Sequence, residues 1–276
     1  MESKKSSKRI ISIVLTIFAI GDLFPLLWLF DFSIAKTPEL FGSNILVIPK
    51  PPQWVNYVTA WVDGQIPQYF WNSVIVNVVT IGLTAFFAVT MAYAFTRMKW
   101  KLRNVFFSTV LIGLMIPIHA TLLPNYIIFN ACKITDTYLG LIIPYVAVAL
   151  PQATFIMTGF MHSIPVSVEE SAILDGCNTR QLMFKIVFPM VRPGMVTVII
   201  MTFISTWNEF IMAATFISDN SLRTLPYSVY NFAGQYSSDY AIQFAVMMLV
   251  ALPSLIIYAL LSDKITAGIT DGALKG

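Results

Sequence analysis

The chain has 276 residues, of which 57% are hydrophobic and only 11% are charged. Soluble domains carry about 25% charged residues, so a chain this apolar cannot cover a water-facing surface with polar groups. A formal net charge of +3, with the basic residues in short clusters between apolar runs, is too small to indicate nucleic-acid binding. The composition therefore predicts an all-α integral membrane protein.

Six apolar runs are long enough to cross the hydrocarbon core of a bilayer, which takes about 20 helical residues. The first run follows a basic N-terminus but is too long for the apolar part of a signal peptide and lacks a small-residue cleavage site, so we expect it to remain as a span. Prolines inside the runs predict kinked helices. The six predicted spans cover about residues 10–30, 71–96, 105–123, 138–160, 194–216 and 241–261.

Lysine and arginine residues are unevenly divided between the two sides of these spans. With the N-terminus inside, thirteen lie on the inner side and four on the outer side. Loops rich in Lys and Arg stay on the cytoplasmic side, so the sequence predicts a multi-pass protein of the cell membrane with both termini cytoplasmic. The cytoplasmic parts would be residues 1–9, the loop 165–193 and the tail 262–276, around a transmembrane domain at 10–261.

The loop 165–193, between the fourth and fifth predicted spans, has the pattern of two short helices joined by a turn. Ser167 with Glu170 is typical of a capping box at the start of the first helix. Asp175 and Gly176 are expected to end it, because glycine reaches the left-handed conformation of a tight reversal at little cost.

A second helix is predicted to start at Asn178, which forms a capping box with Gln181, and to run toward Pro189. The apolar side chains of the two helices must pack against something, either the protein's own cytoplasmic ends or a partner subunit. The residues alone leave both possibilities open. These side chains are Ala172, Ile173, Leu174 and Phe184.

The run E-E-S-A-x-x-D-G-x(7)-F-x-x-x-x-P-x-x-x-P, from Glu169 to Pro193, closely resembles the loop shared by permeases of ABC importers. In that family a Glu-Ala-Ala motif with a downstream glycine forms the coupling helix, which sits in a groove of the ATPase subunit. Three further motifs resemble the carbohydrate-uptake, maltose-type permeases, and within them the second permease subunit. They are TWNEF at Thr206–Phe210, TLP at Thr224–Pro226 and ITAGITDGALKG at Ile265–Gly276.

The resemblance implies the transmembrane permease subunit of an ATP-driven ABC importer for a sugar or oligosaccharide, forming half of a translocation pathway that works by alternating access. The implied partners are a homologous second permease, two ATPase subunits or domains, an extracytoplasmic sugar-binding protein and membrane lipid. The chain has no G-x-x-x-x-G-K-[ST] phosphate-binding motif, so ATP and Mg would be bound by the partners. This chain is then not an enzyme, and we expect no catalytic residue, metal or cofactor on it.

The resemblance also implies which residues face the ATPase. The C-terminal tail would contribute Thr270, Gly272 and Lys275. The residues expected to couple to the ATPase are Glu169, Glu170, Ala172, Asp175, Gly176, Phe184 and Pro189.

Polar side chains inside the spans are costly in hydrocarbon, so they are expected to face the bundle interior or a cavity. Amide and aromatic side chains would suit a sugar, which presents hydroxyl groups and an apolar ring face. Buried amides also hold helices together, so a purely structural role stays open for each. The candidates for the solute pathway are Asn77, Gln152, Phe203, Trp207, Asn208, Glu209 and Gln243.

Other functions remain open on the residues alone. A self-sufficient secondary transporter or channel would need carboxylates near the middle of the membrane, and the spans offer few. A membrane enzyme is disfavoured because the sequence shows no nucleophile, base and orienting group in a recognisable pattern. An ABC permease for a non-sugar solute is the third alternative, since no residue selects the cargo.

Overall fold

The computed structural model describes residues 2–42, 45–233 and 239–273, and the side chains of residues 11–42, 45–233 and 239–261. A π-helical turn, Leu182–Val187, connects the short helices Thr179–Gln181 and Phe188–Met190. The α-helices of the described residues are α1 (Glu2–Ser33), α2 (Val55–Asp63), α3 (Ile66–Thr96), α4 (Arg103–Ile112), α5 (Leu122–Ala131), α6 (Tyr138–His162), α7 (Val166–Leu174), α8 (Thr179–Gln181), α9 (Phe188–Met190), α10 (Arg192–Trp207), α11 (Ile211–Phe216) and α12 (Tyr240–Ala273).

Long apolar helices dominate the structure, and the predicted all-α membrane fold is confirmed. Two pairs of consecutive helices, each bent at a short break, are long and apolar enough to form one span per pair. They are Arg103–Met115 with Ile118–Ala131, bent by 99°, and Thr179–Met190 with Arg192–Trp207, bent by 72°. The predicted count of six is thus the upper count that the described helices allow. Four helices can cross a membrane on their own, Ile11–Ser33, Ile66–Thr96, Tyr138–His162 and Tyr240–Leu261.

Two of the predicted spans, 105–123 and 194–216, are not single helices. The first breaks at Ile116 and Pro117, both of which have extended backbone, because proline cannot continue the hydrogen-bond ladder and pushes the residue before it out of the helix. The second is interrupted between α10 and α11. Other prolines do not break their helices, since α1, α6 and α12 continue through Pro25, Pro144, Pro151 and Pro253.

The chain divides into two compact units, the first formed by residues 1–68 with 225–253. Phe32 and Phe244 lie edge to face in it, with ring centroids 5.3 Å apart, and Trp28 contacts both. The amide of buried Asn56 in α2 donates to the carbonyls of Ser33 and Ala35 at 2.9 and 2.8 Å. Aromatic packing thus ties α1 to α12, and the side-chain amide of Asn56 ties α2 to the end of α1.

The second unit, residues 69–224 with 254–276, contains the loop and most of the candidate pathway residues. One buried core joins α3, α6 and α10 to the loop and includes Ala92, Met157, Leu182 and Val198. Gly194, at the start of α10, lies against the ring of Phe160 in α6, where an added Cβ would come within 2.5 Å of a ring carbon. Only glycine fits this close approach of two helices.

A buried polar contact also joins α3 to α10 in this unit. The Thr206 hydroxyl lies 2.5 Å from Oδ1 of Asn77 and 2.8 Å from the carbonyl of Thr202. The Asn77 amide nitrogen donates to the carbonyl of Ser73 at 2.9 Å. Both polar ends of the asparagine are therefore satisfied within the protein, as a low-dielectric interior requires.

We expect Thr206→Val to destabilise the protein by about 1 kcal/mol, because it leaves Oδ1 of buried Asn77 without this partner. The measurement is the midpoint of thermal unfolding in detergent. Thr215→Val is the matched control, since Thr215 is exposed and its hydroxyl bonds within α11 to the Ile211 carbonyl. Equal midpoints for the two variants would contradict a structural role for the Asn77 contact.

Candidate functional site

The first helix of the loop begins directly after Pro165, which has extended backbone. The predicted capping box of Ser167 and Glu170 is wrong, because Ser167 already lies inside the first turn and its carbonyl accepts a hydrogen bond from the Ser171 hydroxyl. Proline can begin a helix because the first N–H groups have no helical acceptor. The proline, rather than the serine, therefore marks the start of α7.

The turn after α7 is built on Gly176, which has φ +84°. The amide of Gly176 donates to the Ile173 carbonyl and that of Cys177 to the Ala172 carbonyl, both at 3.0 Å. This is a Schellman motif, in which a left-handed residue lets two amides return to the last carbonyls of the helix. The reversal agrees with the glycine in the sequence pattern.

The second helical segment starts with the predicted capping box. Asn178 Oδ1 accepts from the Gln181 amide at 2.9 Å, and Gln181 Oε1 accepts from the Asn178 amide at 3.0 Å. The segment then continues through the π-helical turn to Met190. The capping residues predicted its start, but no pattern in the sequence indicated the π-helical geometry.

A buried ion pair holds the inner side of α7. Nε of Arg97, the residue after α3, lies 2.7 Å from Oε1 of Glu169, and both side chains are nearly inaccessible to solvent. The same guanidinium donates through its NH2 group to the carbonyls of Met161 and Ile164, at 2.9 and 2.7 Å. Tyr93 in α3 interacts with both charged groups. One arginine thus connects α3, the end of α6 and α7.

Glu169 and Ala172 are two of the residues expected to couple to the ATPase. They lie three residues apart on α7, so they share its inner face, and both are buried, Ala172 in the core beside Leu182. From the sequence, Arg97 is recognisable only as one of the basic residues on the inner side of the predicted spans. Its position directly after an apolar helix is the one signal that could have indicated a buried partner.

The other predicted coupling residues are exposed. Glu170, Asp175, Gly176 and Pro189 are open to solvent, and Phe184 is 52% exposed with its ring stacked on Phe188. Next to them on α7, Leu174 is 88% exposed and Ile173 is 57% exposed. We call Ile173, Leu174 and Phe184 the exposed apolar set.

Four of the pathway candidates, Phe203 among them, have structural partners within the second unit. Asn77 bonds to α10 as described, and Trp207 is buried, stacked on Phe203 and edge to face with Phe70. Glu209 accepts from the Met212 and Ala213 amides and from the Tyr145 hydroxyl. Its carboxylate therefore caps α11 where the predicted fifth span is interrupted.

Gln152 faces a groove of about 90 Å³ between α6 and α10. Its amide lies 3.7 Å from the Met201 sulfur, and the groove is also lined by Thr202 and Ser205. Ser205 was missed in the sequence because a lone serine inside an apolar run carries no signal. The groove combines an amide and hydroxyls with apolar walls, which is a surface that can contact a polyhydroxylated solute.

The remaining candidates lie elsewhere. Asn208 is exposed at the end of α10, with Oδ1 3.4 Å from the Ser254 hydroxyl. Gln243 belongs to the first unit, where its amide donates to the Phe232 carbonyl at 2.8 Å. Of the three tail residues, Thr270 and Gly272 lie where only the backbone of α12 is described, and Lys275 is outside the described residues.

A family model described as the inner membrane component of binding-protein-dependent transport systems matches residues 85–267. The chain belongs to this family. As a permease of this family it is a multi-pass protein of the cell membrane, and the family predicted from the loop motif is confirmed. The match includes all of the loop and the groove.

Curated relatives agree with this assignment along nearly the whole permease. It is 30% identical over 271 residues to a sulfoquinovosyl glycerol transport system permease of Agrobacterium fabrum, covering 98% of this chain and 95% of that one. It is also 30% identical to a multiple sugar-binding transport system permease of Streptococcus mutans, with 95% of each chain covered.

A solved structure shares the fold of this permease. It is a bacterial ABC transporter involved in the import of the acidic polysaccharide alginate, and one of its chains superposes with a TM-score of 0.79 at 22% identity, covering 95% of this chain and 98% of that one. The permease is therefore built like the transmembrane part of an ABC importer.

Replacing Gly176 with alanine should loosen the turn after α7, because φ +84° costs an L-residue about 1–2 kcal/mol and no neighbouring atom clashes with the added Cβ. Hydrogen exchange of the Cys177 amide should then become about 5- to 30-fold faster. Gly159→Ala is the control, since Gly159 is helical in α6 with the same open surroundings. An unchanged exchange rate in Gly176→Ala would show that the turn does not depend on the glycine.

Proposed function

We propose that this permease imports a sugar or oligosaccharide, driven by ATPase subunits that bind the loop through the exposed apolar set. The observation that supports it most directly is Leu174, an aliphatic side chain 88% exposed at the end of a helix that carries the family's loop motif. Apolar surface of this kind is stabilised by about 25 cal/mol per Å² when a partner covers it. A protein groove is the partner we assign to it.

Lipid is a poorer partner for this surface than a protein. Glu170, Asp175, Arg180 and Lys185 are all exposed on the same short helices. Charged groups are expensive in hydrocarbon, so the loop cannot lie in the bilayer core with these side chains on it. A water-exposed subunit with an apolar groove and a charged rim accommodates both kinds of residue.

The loop and both termini are then cytoplasmic, in keeping with the excess of Lys and Arg on that side. ATP and Mg are bound by two ATPase subunits or domains, because this chain contains no phosphate-binding loop. Thr270, Gly272 and Lys275 extend the ATPase contact through the tail. The permease itself catalyses no reaction.

A sugar as cargo is supported by the relatives, whose names refer to sulfoquinovosyl glycerol and to multiple sugars. The groove at Gln152 suits this class of solute, since an amide and hydroxyls can bond to sugar hydroxyls while Met201 contacts a ring face. A homologous second permease completes the pathway, and an extracytoplasmic binding protein delivers the solute. ATP drives alternating access by binding one of the two states of the complex more tightly than the other.

The ATPase contact is tested by Leu174→Ser. Burial of a leucine contributes about 1.5–3 kcal/mol, so we expect the amount of ATPase that co-purifies with the permease to fall at least about tenfold. Leu46→Ser is the control, because Leu46 is also exposed but lies between the first and second predicted spans, on the side opposite the predicted cytoplasmic loop. Undiminished recovery of the ATPase with Leu174→Ser would refute docking on this surface.

The cargo is tested by uptake in proteoliposomes that contain the permease, its companion permease and the ATPase, with the binding protein added. We expect ATP-dependent uptake of a labelled di- or oligosaccharide. Gln152→Leu should raise the half-saturating concentration about 5- to 10-fold, the effect of one lost hydrogen bond of about 1–1.4 kcal/mol. A complex that moves none of a broad panel of sugars but moves amino acids or ions would contradict the proposal.

A further inference from the structure

We propose that Arg97 is the positioning residue that transmits movement of α7 to the membrane helices α3 and α6. This inference rests on the proposed docking of an ATPase on the loop, but it concerns a different face of α7. Docking uses the exposed side chains, whereas transmission uses the buried ion pair with Glu169.

The position of Arg97 connects three segments through one rigid group. Its backbone directly follows α3, Nε holds the Glu169 carboxylate, and the NH2 nitrogen holds the carbonyls of Met161 and Ile164. Met161 lies in the last turn of α6, where the partial negative charge of the helix end favours a cation. A displacement of α7 therefore pulls on both α3 and α6.

The apolar inner contacts of α7 are of a different kind. Ala172 packs in an apolar core with Leu182 and Val187, and such contacts are non-directional. The planar guanidinium fork of Arg97, by contrast, donates hydrogen bonds in fixed directions through two of its nitrogens, Nε and the NH2 nitrogen. The buried ion pair is thus a directional contact between α7 and the membrane helices, and its separation would leave a charge buried and unpaired.

The inference predicts that ATPase docking and helix movement can be separated by mutation. If the ion pair is neutralised, α7 still presents Leu174 and the ATPase still binds. The groove at Ser205, on α10, should then stop responding to nucleotide, because α3 and α6 no longer follow α7.

The test uses the complex of this permease with its companion permease and ATPase, purified in nanodiscs. Cys132 and Cys177 are replaced by serine, and a single thiol is introduced by Ser205→Cys. The rate of maleimide labelling is measured without nucleotide and with Mg-ATP and orthovanadate. The variants are Arg97→Gln, Arg97→Lys and Glu169→Gln, with Arg103→Gln as the matched control, since the Arg103 guanidinium lies beside its neighbour Asn104 rather than a buried acid.

With Arg97 intact, and in Arg103→Gln, nucleotide should change the labelling rate at least about fivefold, the low end of coupling between two sites. In Arg97→Gln and Glu169→Gln the ATPase should co-purify in normal amounts while the change falls below about twofold. Arg97→Lys keeps the charge but has one nitrogen in place of the fork, so its response should be intermediate. A purely structural role would lower the recovery of the complex and leave the labelling ratio unchanged.

A full nucleotide response in Glu169→Gln, or in Arg97→Gln where that variant folds, would overturn the inference. Loss of ATPase binding in Glu169→Gln would overturn it as well, because the pair would then shape the docking surface instead of transmitting movement. An unsubstituted complex that binds ATPase but shows no nucleotide response at Ser205→Cys would also overturn it. Failure of the unsubstituted permease to bind any ATPase would instead refute the proposed function.

Discussion

The hydrocarbon of a bilayer offers no hydrogen-bond partner, so every backbone polar group inside the spans must find one within the protein. Within a long helix, the backbone N–H and C=O groups bond to each other. Additional partners are needed where a helix ends or where a polar side chain lies in the core. Asn77 is satisfied by α3 and α10 together. Glu209 satisfies two amides of the broken fifth span and accepts from Tyr145. Polar residues of the interior therefore mark where α3 meets α10 and where the fifth span is interrupted.

The loop lies at the ends of the membrane helices, and its first helix, α7, has two different faces. The inner face contains Glu169 and Ala172 and is attached to α3 and α6 by an ion pair and apolar packing. The outer face leaves Ile173 and Leu174 in solvent. A helix with one face bound and the other free is suited to pass a movement from a partner to the helices behind it. Gly176 sets where that helix ends.

Several features were predictable because they depend on local chemistry. A run of about 20 apolar residues must lie in a membrane whatever surrounds it. Gly176 and the pair Asn178 and Gln181 were predicted correctly, since a left-handed turn and a capping box need only residues close in the chain. The Ser167 cap was wrong because two local signals competed, and the proline before the helix determined its start.

The roles of the individual site residues depended on distant parts of the chain. The sequence by itself determined the membrane location, the long apolar helices and the reversal at Gly176, because each follows from composition or from neighbouring residues. It also indicated the family, through the resemblance of its motifs. Only the tertiary structure decided that Glu169 faces Arg97, 72 positions earlier, that Glu169 and Ala172 turn inward, and that Gln152 and Ser205 share a groove. The physical reason is that an ion pair or a groove requires residues from different helices to be brought together, and helix packing determines which residues meet.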